Sequence, residues 1–276
     1  MSRATPFASR ILVGVTSLVG LVAFFYPFFL SEVAAGDNHA ADAPIIMLVL
    51  GPLLLGIILS DINSHAMNSR VVAALGMLVA INAVLRLPAG PGDSPSFFFL
   101  VILAGYVYGG RFGFLLGSLS LAVSALLVAG IGPWMPFQML AMGWLGLTTS
   151  GLQPLKRWLN IADGSWWEVA LLAAFGWLWG LLFGALMNLT FWPFSTDESA
   201  ISWQPGLGLG PTLERYWAFY LLTSLGWDAA RALFNLLLIV AFGKPILAVL
   251  RRFQLRLNWQ DEAKNQNRTK NKEQRT

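Results

Sequence analysis

Apolar residues along the chain gather into eight runs separated by short polar or turn-rich segments. The first runs from Ile11 to Leu30, after a polar start with Arg3 and Arg10. Its 20-residue length exceeds that of a secretory h-region, so it is read as a retained helix. An acidic loop, 31–43, leads to a second run at about 44–60, and a third covers about 71–87. Pro88, Gly90, Pro91, Gly92 and Pro95 forbid regular helix and predict a connector. A short fourth run, 97–108, turns at Gly109-Gly110-Arg111 into the fifth, 112–129, giving a close hairpin. Two glycines and two prolines between Gly130 and Pro136 mark the entry to the sixth, 137–154. The seventh covers 167–190 and the eighth 216–243, with a loop at 191–215 between them. That loop's glycines lack the spacing and the strand–turn–helix setting of a dinucleotide fingerprint, and it is read as a flexible external segment.

All but the short fourth run approach the roughly 20 residues that a spanning helix needs. The expected fold is therefore all-α, a polytopic integral membrane bundle of about eight helices. Composition agrees: 56% of residues are hydrophobic and only 12% charged, half the roughly 25% of soluble domains. Mean hydropathy is +0.63. Eight spans use about 160 residues, leaving no stretch long enough for a soluble catalytic domain. Without cysteine there is no disulfide, thiolate metal site or cysteine nucleophile. His39 and His65 fall in separate polar segments and are read as solvated loop residues, so no metal site and no cofactor are expected.

With the N-terminus in the cytoplasm, Arg3, Arg10, Arg70, Arg111, Lys156, Arg157, Lys244, Arg251, Arg252 and the tail fall inside. Glu32, Asp37, Asp42, Asp93, Asp197, Glu198 and Glu214 fall outside, where the only cations are Arg215 and, at a helix end, Arg86. This positive-inside pattern places both termini in the cytoplasm of a cell-membrane protein. The positive charge sits at membrane edges, which argues against a nucleic-acid partner. The tail, 254–276, has six basic and three acidic residues and either lies along anionic lipid or stays disordered.

Polar groups within the spans are few. Asp228, Arg231 and Asn235 share one face of the eighth run. The first two read either as a structural ion pair or as one wall of a polar cavity. Asn82 and Arg86 in the third run, Gln138 opening the sixth and Asn188 near the outer end of the seventh could face them. Trp134, Trp144 and Trp192 fall toward the same side, as do Trp217 and Trp227. Such a set suits either an interfacial aromatic belt or a site for a bulky, partly aromatic solute. No nucleophile–base–acid set or carboxylate pair is brought together, so the chain is not read as an enzyme. Small residues recur at three- and four-residue spacing, as in Gly113 with Gly117 and Gly176 with Gly180 and Gly184, and predict close helix contacts.

Three segments carry a more specific signal. They are Gly132-Pro133-Trp134-Met135-Pro136-Phe137-Gln138-Met139 with Ala141–Gly146, Ala104–Gly113, and Asp228–Asn235. Together they resemble the vitamin-binding S components of energy-coupling factor (ECF) transporters, in particular the cobalamin-type or unassigned branch. The resemblance covers about 70–253. It implies a six-helix S-component core there, a two-helix extension at 1–69 and the tail at 254–276. It also implies capture of a vitamin-like solute, a cobalamin-like corrinoid being favoured, from outside the cell. Delivery would then pass through a transmembrane coupling subunit and two cytoplasmic ATPases. On this reading Trp134, Gln138 and Trp144 form one wall, Asn188 and Trp192 another, and Asp228, Arg231 and Asn235 a third. Asn82 and Arg86 close the site. Ala73, Gly76, Ala80 and Ala83 offer the small-residue face for the coupling subunit. Two rival readings are an autonomous secondary transporter and a membrane scaffold without a small ligand.

Overall fold

The computed structural model describes residues 7–30, 39–64, 67–88, 90, 96–195 and 199–273, with side chains to Arg256 in the last helix. Arg3, Glu32, Asp37, His65, Pro91, Gly92, Asp93, Pro95, Asp197 and Glu198 lie outside the described residues. Ten α-helices follow one another: α1 Phe7–Phe25, α2 Ala43–Asn63, α3 Ser69–Val84, α4 Phe98–Tyr108 and α5 Gly110–Leu127. Then come α6 Met135–Thr148, α7 Leu152–Trp158, α8 Trp166–Phe191, α9 Leu209–Thr223 and α10 Leu225–Glu273. The regular structure described is entirely helical, as expected of a polytopic helical bundle.

Among the described residues, five segments are long and apolar enough to cross a membrane: Phe7–Phe29, Ala43–Asn63, Gly110–Leu127, Trp166–Phe194 and Leu225–Arg256. Ser69–Val84 and Phe98–Tyr108 are apolar but shorter. α4 spans about 16 Å, half the hydrocarbon core. Every residue from Phe98 to Val107 is buried, so α4 is the interior helix of the bundle. Gly109, at φ +101°, turns the chain tightly into α5.

Packing depends on glycine. α5 and α6 make the most extensive contact, and a Cβ on Gly113, Gly117 or Gly146 would collide with backbone of the facing helix. Gly105 on α4 faces the backbone of Gly146 as closely, at 2.8 Å from where its Cβ would be. α8 and α10 form the second tight pair, with Gly180 against Ala232 and Gly184 against Asp228. In lipid, where hiding apolar surface drives little association, such backbone approach is what holds helices together.

Two departures from the expected spans matter. The eighth run is not one helix from 216 to 243. Ser224 breaks it with φ −123° and ψ −30°, and its hydroxyl accepts the Asn188 amide at 2.6 Å. The segment long enough to span begins only at Leu225, and α10 continues as helix through the polar tail to Glu273. The 191–215 loop is also shorter than expected, because Trp192–Phe194 forms a 3-10 turn and α9 starts at Leu209.

α1 and α2 pack together, and α1 lies on α6. Gly20 sits under Trp144 and Leu140, and Phe24 meets Phe137 edge-on at 5.3 Å. At one end Arg111, in the first turn of α5, pairs with buried Asp61 of α2 and donates to Ser9 of α1 at 2.8 Å. At the other end stands His39, 3% exposed, with φ +66°. Its Nε2 donates to the Thr190 carbonyl at 3.0 Å, and Nδ1 lies 2.7 Å from Asp42, which also accepts from Tyr26. His39 is thus no solvated loop residue. Phe137 and Phe194 cover its ring, and its two nitrogens tie the start of α2 to the end of α8.

Glycine's role is open to direct test. Gly146→Leu should abolish recovery of monodisperse protein, because the side chain has only facing backbone to displace. Gly56→Ala, whose Cβ would stand 3.6 Å from Leu12, should leave the thermal unfolding midpoint within a few degrees. Equal behaviour of the two variants in detergent would refute the packing account.

Candidate functional site

Where α1 ends and α9 begins, the bundle carries an elongated groove of about 560 Å³. One wall is Phe25, Phe28 and Phe29, at the end of α1 and in its 3-10 extension. The opposite wall is α9, which presents Leu209, Thr212, Leu213, Tyr216 and Trp217. Leu189 and Trp192 close the inner end, and Trp203, Gln204, Gly206 and Leu207 line the rim. Trp192 is the hub. It is 1% exposed, donates its indole N–H to the Ile201 carbonyl at 2.8 Å, and packs against Phe28 and Tyr216. Tyr216 in turn donates to the Ala185 carbonyl.

Of the residues expected to bind solute, Trp192 lies in this groove. Asn188, a turn deeper on α8, is engaged by Ser224 at the bend between α9 and α10. Asp228 and Arg231 form the expected pair at 2.5 Å. Asp228 is 2% exposed, and Arg231 also lies over the Phe183 ring, 5.4 Å from its centroid. The second carboxylate oxygen of Asp228 lacks a well-formed hydrogen bond, although Tyr220 stands beside it. Asn235, two turns on, is buried beside Gly176 with neither amide atom partnered. Asn82 on α3 is likewise fully buried and unpartnered.

Other members of the expected set lie apart. Arg86 falls beyond the end of α3, donates to Ser124 at 2.9 Å and covers the Phe97 ring. Trp134 is half exposed, folded over Gly132, and Gln138 is half-buried in the first turn of α6. Trp144 packs on Phe24 of α1, 5.3 Å between ring centroids. On α3, Ala73, Gly76 and Ala80 lie on an exposed face with Met77 and Ile81, and nothing comes within 4 Å of a Cβ on Gly76. Ala83 is fully buried and therefore lies off that face.

Sequence reading missed the aromatic wall. The run Phe24-Phe25-Tyr26-Pro27-Phe28-Phe29 reads as the end of a span, and only the facing α9 makes it a groove. It also missed a charge cluster at the far end of α8. Fully buried Glu168 accepts from Tyr106 at 2.7 Å, Lys156 at 2.8 Å, Arg251 at 2.5 Å and the Gly164 amide at 2.8 Å. This joins α4, α7, α8 and α10 at one point. No group of three or more metal-ligating side chains occurs among the described residues.

Set against known proteins, the chain matches the family model of the ECF transporter substrate-specific component over residues 70–242, well over half its length. The match begins at the start of α3 and ends within α10, so α1 and α2 lie outside it. No curated protein and no solved structure matches.

The Asp228–Arg231 pair yields a stability prediction. Arg231→Ala strands a buried carboxylate and should cost about 3–5 kcal/mol of stability. The double variant Asp228→Asn/Arg231→Met should recover most of that loss. Denaturant unfolding in detergent would check this, and a double variant as unstable as the single one would contradict it.

Proposed function

The chain belongs to the substrate-specific components of ECF transporters, and from that premise we propose that it captures a small organic micronutrient at the outer membrane face for ATP-driven import. The observation that carries the reading is the family match, which runs through the helices on which the bundle closes, α3 to α10. As such a component it is a multi-pass membrane protein and a transport subunit rather than an enzyme. Both termini lie in the cytoplasm in this proposal, following the charge distribution, which puts the groove outside and the Glu168 cluster inside.

The groove is the candidate solute site. Its 560 Å³ falls within the range of about 300–1,000 Å³ that accommodates one drug-sized molecule. Motif resemblance favours a cobalamin-like corrinoid. The groove weighs toward a smaller solute, because a corrin with its ring of amide arms is larger than the drug-sized molecule that such a volume accommodates. Asp228, Arg231 and Asn235 lie deeper, below the bend at Ser224, where they would hold α8 and α10 in register under the site.

For delivery, a coupling subunit with its ATPases would dock on the bare face of α3. Gly76 lets a partner backbone approach there, and Ala73 and Ala80 extend the same face by a turn each way. An exposed small-residue face on a helix held mainly by α5 supports this, since intrachain packing leaves it unused.

Co-purification tests the docking. With the coupling subunit and ATPases co-expressed, the wild-type chain should be retained and Gly76→Leu/Ala80→Leu lost, although the variant still folds. Retention of the double variant, or uptake by cells lacking the coupling subunit, would count against the proposal.

A further inference from the structure

Resting on the import reading, we infer that the groove takes an uncharged, ring-bearing lipophile held between the N-terminal extension and α9. Three observations lead there. Among the described residues, no charged side chain lines the groove. Its deepest donors are already spent, Trp192 on the Ile201 carbonyl, Tyr216 on the Ala185 carbonyl and Thr212 on the Gly208 carbonyl, which leaves the two hydroxyls able only to accept. Gln204 is left as the side-chain amide at the rim. An anion or a strongly polar solute seated there would give up its hydration without replacement.

A cation is not served either, despite the aromatic lining. A desolvated cation without a carboxylate partner needs several ring faces turned on it, as in an aromatic cage. Here the rings turn on one another, Phe28 edge-on to Trp203 at 6.1 Å and Trp192 to Tyr216 at 5.3 Å. What remains for a ligand is flat apolar surface, suited to a ring.

The walls also continue onto the lipid-facing surface. α1 exposes Ile11, Val15, Leu18 and Val22 at helical spacing, and this stripe runs on into Phe25 and Phe29. α9 exposes Leu221 below Trp217, Leu213 and Leu209, four residues apart each time. A molecule already dissolved in the bilayer therefore meets the groove without leaving apolar surroundings. One wall comes from residues outside the 70–242 family match, so the added helices, not the shared core alone, set this preference.

The test uses the full chain in detergent and 1-aminoanthracene, an uncharged fluorescent ring compound excited by energy transfer from tryptophan. Saturable sensitised emission above the linear micelle background is expected. Phe28→Ala and Leu213→Gln should each weaken it at least tenfold. Leu213 is half exposed, so its variant tests the site even if Phe28→Ala fails to fold. Leu18→Ala, on the same α1 stripe but outside the groove, should leave it unchanged. Absence of saturation, insensitivity to both groove variants, or displacement by thiamine, biotin or cobinamide would overturn the inference. Co-purification with the coupling subunit separates the two levels: if it persists, only the solute class falls, and if it fails, the import reading falls with it.

Discussion

Backbone-to-backbone approach at glycine is the constraint on which the rest of this bundle depends. Helices in lipid gain little by hiding apolar surface from one another, so fit and close contact must supply the attraction. Gly113 and Gly117 against Gly146 and Met142 fix α5 on α6, and Gly180 and Gly184 fix α8 on α10. Everything at the groove follows from these two pairs. The position of α6 sets Trp144 and Phe137, on which Phe24 and hence the Phe28 wall rest. The register of α8 on α10 puts Asn188 opposite Ser224, the point where α9 departs to form the other wall.

Charge is distributed to match. At the end of the bundle opposite the groove, Glu168 collects two cations, a phenol and a backbone amide, so no part of its charge goes unmet. Truncating one partner of such a buried cluster leaves the others uncompensated, which makes the end rigid as well as costly to alter. Asp61–Arg111 performs the same service for the extension, and His39 closes its other end. The groove end has aromatic packing instead, with backbone carbonyls absorbing the indole and phenol protons. One end is pinned by charge, and the groove at the other is lined by rings.

How much of this is legible along the chain depends on the range of the interactions. Hydropathy alone marks the apolar runs, because burial in lipid is a property of a segment and not of its neighbours. The hairpin at Gly109 is readable too, since positive φ selects glycine locally. The ion pair at 228 and 231 needs only helical spacing. By contrast, the break at Ser224 has no local breaker, and the Asn188 amide on another helix occupies its hydroxyl. His39 reads as a loop residue because its acceptor, Thr190, is 151 positions away. The aromatic run at 24–29 reads as a span end for the same reason, since α9 is what makes it a wall. Asn82 and Arg86, four residues apart, look like a pair until α3 ends at Val84 and sends them in different directions.

The division between matched core and added helices then acquires a physical meaning. On the proposed docking, the bare face of α3 is the surface that must stay constant, and it lies within the family match. The subunit's solute preference can vary only where variation does not disturb that surface or the glycine contacts behind it. α1 satisfies both conditions. It lies outside the match, touches α6 chiefly through Gly20 and Phe24, and brings three phenylalanines to the groove, where Phe28 meets Trp192 at the end of α8. On the proposed site, the two N-terminal helices therefore change what the groove can hold while leaving the α5 packing that positions α3 untouched. On this view His39 and Asp61 are the parts that make the addition permanent, each tying an end of the extension to a helix that the family already possesses.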